Sequence, residues 1–361
     1  GLTDEHTRAR LDSLILDVNP VSGSEQIFNF TFSGSTSNAN AYLNYIELNI
    51  PCSLIMTGNE MPISSKTIQS KKPVIRYRLQ GTAPQTQIWR INDGVHIEQI
   101  PTEYNSNVLT WLGDNTKVEQ YVAVNTSSST WKKPVTIGRV PNQNLHQLEN
   151  IDYVIICPSE FVSPAKRLAK KHEEIDNMTW AVVTAEQVYN EFSSGTPDAS
   201  AYRWLMKMLY DRAAGDHTKT PKHLLLMGDG TYDNRQIFRA SISGANTLLT
   251  YQAKNSTVET SAYATDDYFG FLEDEAGVRQ GVFIDRHATM NIGVGRLPVK
   301  TLDEAEYMVN KICTYIDDGA KGKWKSQILF LADDGNHGAH VETAEEGAKI
   351  IQNKNKQIFF I

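Results

Sequence analysis

The sequence predicts an all-β part followed by an α/β part: an antiparallel β-sandwich at residues 1–140, then an α/β domain on a mostly parallel sheet at residues 141–361. Three observations predict it. From about residue 24 to 140, short segments alternate apolar and polar residues between turn residues, the period of strands solvated on one face. After residue 150, continuous apolar runs alternate with amphipathic stretches, as in a sheet covered by helices on both faces. A chain of 361 residues also exceeds what one core usually serves, so one domain boundary is expected.

In order, QIFNFTFSG, AYLNYIELNIP, PVIRYRLQG, TQIWRIND, HIEQIP, VLTWLG and EQYVAVN read as strands, because Val, Ile, Thr and aromatics recur at period two. Seven or so such strands argue for a sandwich. LTDEHTRARLDSLI leaves room for a short leading helix, and LDVNP for an earlier strand. SSSTWKKPVTIGRVPNQNLHQLEN has the Ser, Pro, Gly and Asn density of a linker. YVIICP is then a strand and SPAKRLAKKHEEI a helix, with Ser163 placed to cap it and Pro164 in its first turn. TWAVVTA (strand), AEQVYNEFSSG and ASAYRWLMKMLYDRAAG (helices) and KHLLLMGDG (strand) precede a long loop. DYFGFLED and MNIGVGRLPV read as strands, TLDEAEYMVNKICTYIDD as a helix, SQILFLADDG as a strand, HVETAEEGAKIIQ as a helix and QIFFI as a strand. Within this pattern GVGRLP looks like a close-packing turn, its sequel opening with Pro298 and a Thr301 cap.

Hydrophobic residues at 40% and charged residues at 21% are the composition of an ordinary folded protein. The net charge of −7 and the scattered basic residues exclude the concentrated cationic face that nucleic acid requires. No apolar run approaches the roughly 18 residues of a membrane span, and the polar N-terminus has no signal-peptide core. The opening Gly and the final QIFFI suggest a piece of something longer, so a missing leader says little about location. Cys52, Cys157 and Cys313 are few, distant and odd in number, which fits neither a disulfide framework nor zinc spacing; each is expected to be buried and inert.

In parallel sheets, ligands bind beyond the strands' C-terminal ends. Three such places carry carboxylates: Asp229 in MGDGTYDNR, Asp266 with Asp267 in YATDDYFG, and Asp333 with Asp334 in LADDGNHG. One aspartate there caps a helix or closes a turn; three clusters together point to a site. Converging oxygens could hold Mg²⁺ or a structural Ca²⁺, with Asp229 and Asp233 as the weak candidates, but there is no P-loop and no cofactor is expected. His337 and His340 stand near Asp333 and Asp334, as a general base with its orienting partner would, yet no strand-end Cys or elbow Ser supplies a nucleophile. A loop histidine at a helix start is the plainer reading.

QNLHQLENIDYVIICPSEF, VVTAEQVYNEFSSGTPDASAYRWLMKMLYDRA, KHLLLMGDGTYDNR, TDDYFGFLED, NIGVGRLPVKTLDEAEYMVNKICTYI and WKSQILFLADDG resemble the gingipain-type cysteine peptidase family, most of all its members that serve as the sortase of the Bacteroidetes type IX secretion system. The resemblance covers about residues 140 to 361; the β-rich stretch before it fits less specifically. It implies a caspase-like α/β peptidase domain, truncated here before its catalytic residues. The family's catalytic His lies in a Gly-His-Gly motif at the end of a later strand and its Cys at the end of the strand after that; neither motif occurs in this sequence. The Asn336–His337–Gly338 run comes one strand and one helix too early. The resemblance makes Asp333 or Asp334 the carboxylate that supports the catalytic His. An acidic P1 reader stands a little further on in gingipains; His340 falls there, which puts trypsin-like specificity in doubt. His340, Asp266 and Asp267 are the substrate-binding candidates.

The resemblance further implies protein and peptide substrates with C-terminal sorting domains, other type IX secretion components as partners, and a cell-surface or outer-membrane-associated location. This chain alone is expected to be inactive. The alternatives are a non-catalytic binding or assembly module that keeps the peptidase fold as scaffold, and a metal-dependent hydrolase using the carboxylate edge. An unfinished parallel sheet would expose an edge open to association.

Overall fold

A computed structural model describes residues 9–10, 12–16, 27–34, 39–48, 52–64, 73–91, 94–136, 138–235, 237, 247–253, 257–258, 261–274, 278–279, 282–283, 289–317, 322, 324, 327–352 and 357–360. The chain divides into two units, Asp17–Arg139 and Gly1–Leu16 with Val140–Ile361.

The unit Asp17–Arg139 is antiparallel β. Its strands are β1 (Glu60–Ser64), β2 (Val74–Gln80), β3 (Thr86–Ile91), β4 (Ile97–Ile100), β5 (Glu103–Asn105), β6 (Val108–Asp114) and β7 (Gln120–Asn125). One sheet has the order β1-β7-β3-β4 and the other β2-β6-β5. Alternate residues of both sheets share a core, with Tyr77, Leu79, Leu109 and Trp111 from one and Ile63, Ile88, Ile100, Tyr121 and Ala123 from the other. Tyr77 stacks on Trp111 at 5.0 Å, and Tyr121 meets both rings edge-on from the opposite sheet. The two sheets therefore form a sandwich.

The strands are not all those the pattern predicts. PVIRYRLQG, TQIWRIND, HIEQIP, VLTWLG and EQYVAVN hold β2, β3, β4, β6 and β7. The described parts of QIFNFTFSG and AYLNYIELNIP are in no strand, and Phe30 and Tyr42 are exposed. Period-two alternation prepares a strand, but a strand also needs a ladder and a surface to cover. β1 escapes the pattern because Pro62 argues against a strand; it is tolerated here because β1 is the sheet's edge. β5 has only three residues and reaches β6 through Ser106 and Asn107, both at positive φ (48° and 65°), the geometry of a two-residue hairpin turn. Of the suggested leading helix, the described residues 9–10 and 12–16 are not helical, and the rest lies outside the described residues. LDVNP lies outside them too, save Leu16.

In the second unit, β8 (Tyr153–Cys157), α1 (Val162–Asp176), β9 (Trp180–Thr184), α2 (Ala185–Phe192), α3 (Ser200–Arg212) and β10 (His223–Met227) follow the predicted order. After them come the short β11 (Tyr251–Gln252), β12 (Ala264–Thr265), β13 (Val278–Arg279) and β14 (Val282–Phe283), then β15 (Gly293–Leu297) and α4 (Leu302–Ile316). β16 (Gln327–Phe330), α5 (Ala339–Gln352) and β17 (Gln357–Phe360) end the chain. A parallel sheet runs β15-β10-β8-β9, and β16 pairs with β17, also in parallel. Every residue of β8 is buried, because its alternate side chains enter two different cores. Val154 and Ile156 face Val188, Tyr202, Leu205 and Met206 of α2 and α3, while Ile155 and Cys157 face Ala165, Leu168, Ala305 and Val309 of α1 and α4. Helices thus cover both faces of the four-stranded sheet, and the fold is mixed α/β with antiparallel and parallel sheets. No helix among the described residues is long and apolar enough to cross a membrane.

Local chemistry sets the helix ends. Thr184 and Gln187 form a capping box at α2, and Thr301 accepts from the Glu304 N–H at α4. Ser163 does not cap α1; a 3-10 turn at Ser159–Phe161 runs straight into the helix, so no extended cap residue precedes it, and Pro164 sits in the first turn. GVGRL is not a turn but β15 itself, in register with HLLLM. DYFGFLED is not a strand: Asp267–Gly270 is a 3-10 turn. Tyr268 and Phe269 both enter the core beside Tyr202, whereas a strand would turn one of them outward.

Candidate active site

β10 and β15 end side by side, with Met227 opposite Leu297, and three chain segments gather beyond them: 228–235, 247–252 and 264–270. Arg296, the fourth residue of β15, stands at their centre with a side chain only 11% exposed. Its Nε and Nη2 donate to Oδ2 and Oδ1 of Asp266 at 2.7 and 2.8 Å. Its remaining N–H groups reach the carbonyls of Gly228 (3.1 Å), Asp229 (3.4 Å), Leu248 (3.4 Å) and Leu249 (3.1 Å). Burying a guanidinium is costly unless its donors are satisfied, and here the partners come from all three segments. The sequence reading missed this residue. A cation inside an apolar strand was the available signal, since such a strand end needs a carboxylate nearby.

Asp266 is therefore bound to Arg296, and the neighbouring Asp267 is the exposed member of the pair; its backbone N–H donates to Thr265 Oγ1. Asp229 lies 3.4 Å from Lys300 through Oδ2. Asp233 accepts the Ile237 N–H at 2.9 Å. Among the described residues no three His, Cys, Asp or Glu side chains converge as metal ligands would.

The second group lies between β16 and α5. Asp333 Oδ1 accepts from His340 Nδ1 at 2.6 Å and from the Gly335 N–H at 2.9 Å. These bonds, that from His340 first, hold the Asp333 carboxyl below its ordinary pKa. A carboxylate can only accept, so the His340 proton sits on Nδ1; Nε2 then accepts from Asn336 Nδ2 at 2.9 Å. His340 opens α5, Asn336 and His337 are left-handed (φ 52° and 58°), and Asp334 is exposed. The structure thus brings Asp333 to His340 and Asp266 to Arg296, while Asp267 and Asp334 have no side-chain partner among the described residues.

The cysteines differ from one another. Cys157 is fully buried, and burial, with a smaller contribution from the Glu186 charge, pushes its thiol up to about 12. Cys313 is half-buried on α4. Cys52 is exposed, against the expectation of burial, because it lies in an irregular segment ahead of β1 rather than inside a strand.

The sequence model of Peptidase family C25 matches residues 146–360, more than half of the chain. The chain belongs to this family. Among solved structures, dimeric latent PorU from Porphyromonas gingivalis is 32% identical over 75% of this chain, with a TM-score of 0.63. The match takes in 26% of the PorU chain, so this chain spans about a quarter of that protein's length. The complex of P. gingivalis RgpB pro- and mature domains is 14% identical, covering 58% of this chain and 41% of its own, with a TM-score of 0.37. The Arg-specific cysteine proteinase gingipain R gives 14%, 61%, 42% and 0.36 in the same order. No curated protein matches the chain. Membership in C25 makes this a cysteine-peptidase-related chain.

Proposed function

We propose that this chain is part of a cysteine endopeptidase of the sortase kind, which cleaves C-terminal sorting signals of proteins exported by a type IX secretion system at the cell surface. Other components of that system are its partners, its α/β unit is the first part of a caspase-like domain, and its chemistry invokes no cofactor. One observation supports the reading most: Asp333 is fixed through Oδ1 by His340 and Gly335, while Oδ2 has no partner among the described residues. A carboxylate so held can accept the Nδ1–H of a catalytic histidine and stabilise its cation. His340, engaged with Asp333, then serves as a buttress for that carboxylate rather than as the P1 reader.

None of the three cysteines is suited to be the nucleophile. Cys157 is buried with a raised thiol, Cys313 is in the last turn of a helix, and Cys52 lies outside the residues that match the family. The chain alone is expected to cleave nothing and to form no covalent adduct with an activated peptide inhibitor at Cys157 or Cys313. In the complete gene product, Asp333→Asn is expected to lower kcat by about 10³- to 10⁴-fold with KM retained, and Asp334→Asn to change it by less than about threefold. Equal losses in both variants, or none in Asp333→Asn, would refute the assignment.

A further inference from the structure

We infer that Arg296 is a positioning residue: its one guanidinium sets the conformation of three loops beyond β10 and β15, and through them the wall of the substrate groove, without touching substrate. The inference rests on the peptidase reading above and takes the C-terminal edge of β10 and β15, where ligands of parallel sheets bind, as part of the groove. The geometry is specific to arginine. Asp266 takes the bidentate fork, and the other donors are shared among four carbonyls on two further segments. A lysine ammonium, one compact charge with three donors, cannot span that set.

The loops have little freedom to choose another arrangement around the guanidinium. Thr250 Oγ1 donates to the Thr231 carbonyl at 3.2 Å, and Asn234 Nδ2 to the Thr250 carbonyl at 2.8 Å. Tyr251 stacks on Tyr268 at 4.4 Å, joining the second segment to the third. A Cβ on Gly230 would stand 2.8 Å from Thr250 Cγ2 and 3.6 Å from Arg296 Cζ, so the first loop closes against both with no room for a side chain. The outward groups on these loops include Tyr232, 72% exposed, and Asp267. A buried ion pair stabilises a fold poorly compared with apolar packing of the same volume. What it does supply here is one geometry for three separate segments of the chain.

Arg296→Met keeps the apolar stem and removes every donor, and Asp266→Asn removes only the charge. In native-state hydrogen exchange on this chain, Arg296→Met is expected to speed exchange in 228–235, 247–252 and 264–270 by about tenfold or more, with β8 and β10 keeping wild-type protection. Arg296→Lys is expected to behave like Arg296→Met, and Asp266→Asn to loosen 264–270 most. In the complete gene product, Arg296→Met should raise KM for a fluorogenic sorting-signal peptide by about tenfold with kcat within about threefold. Unchanged loop exchange, an equal rise in β8 and β10, or a kcat loss without a KM change would overturn the inference. If the wild-type product leaves the peptide uncleaved, the peptidase reading fails, and the exchange pattern still decides whether Arg296 holds the three loops.

Discussion

Replacing Glu191 with Gln tests how the α/β unit fastens its incoming chain. Glu191 lies on α2 with a side chain 14% exposed. Its oxygens accept from the Leu145 and His146 N–H groups, from Gln143 Nε2 and from His146 Nδ1, at 2.6 to 3.1 Å. Burial by itself would raise this carboxyl; the hydrogen bonds outweigh it and hold it at about 2. Against about 4.3 in an unfolded chain, that difference favours the charged folded form by about 3 kcal/mol. Gln keeps the shape and one acceptor oxygen but turns an N–H₂ toward backbone donors, so the expected loss at pH 7 is about 2 kcal/mol. The sign follows from the lowered value. Above about pH 4.3 the whole contribution is present; as pH falls toward 2 the unfolded chain binds its proton first, and the contribution fades. Urea unfolding followed by helical circular dichroism reports this unit, since α1 to α5 all lie in it. Wild type and Glu191→Gln should differ by about 2 kcal/mol at pH 7 and converge near pH 2. A gap that stays constant with pH, or one below about 0.5 kcal/mol at pH 7, would refute the argument.

Gly113→Ala should destabilise the sandwich by about 2 kcal/mol, because its Cβ would stand 2.5 Å from Tyr121 Oη and 2.7 Å from Tyr77 Cε2; denaturation followed by tryptophan fluorescence, to which Trp111 stacked on Tyr77 contributes, measures it. Iodoacetamide on the native chain should modify Cys52 and spare Cys157 until the chain unfolds, read by peptide mass; early modification of Cys157 would contradict its burial and raised thiol. Millimolar Ca²⁺ should move Tm by less than about 1 °C, since no three ligands converge among the described residues; a rise of several degrees would point to a site involving Asp229 or Asp233.

The α/β unit was legible in the sequence because its signals are local. β8 and β10 are unbroken apolar runs, and α1, α3 and α4 carry helical periodicity over three or more turns, so neighbours in sequence settle their conformation. The failures depend on partners. Phe28, Phe30 and Phe32 alternate as a strand would, but no ladder forms in their described surroundings. Pro62 counts against a strand until its edge position is known. In DYFGFLED the apolar pattern is right and the conformation wrong, because Tyr268 and Phe269 turn into the core together from a 3-10 turn. Arg296 is visible as a residue out of place, yet its partner Asp266 lies on a different loop, and no spacing rule joins the two.

The same distinction separates the carboxylates that the sequence could only group together. To orient an imidazole, a carboxylate must be fixed and must still have an oxygen to offer. Asp266 is fixed, but both its oxygens are taken by Arg296. Asp267 and Asp334, exposed like Asp333, have no side-chain partner among the described residues to hold them. Asp229 faces Lys300, whose charge it answers. Asp333 meets both conditions, with Oδ1 held by His340 and Gly335 and Oδ2 without a partner among the described residues. The histidine that the sequence offers as a catalytic base or a substrate reader is thereby better explained as the group that holds Asp333 in place, which is why substituting His340 should act through Asp333 and disappear in the Asp333→Asn background.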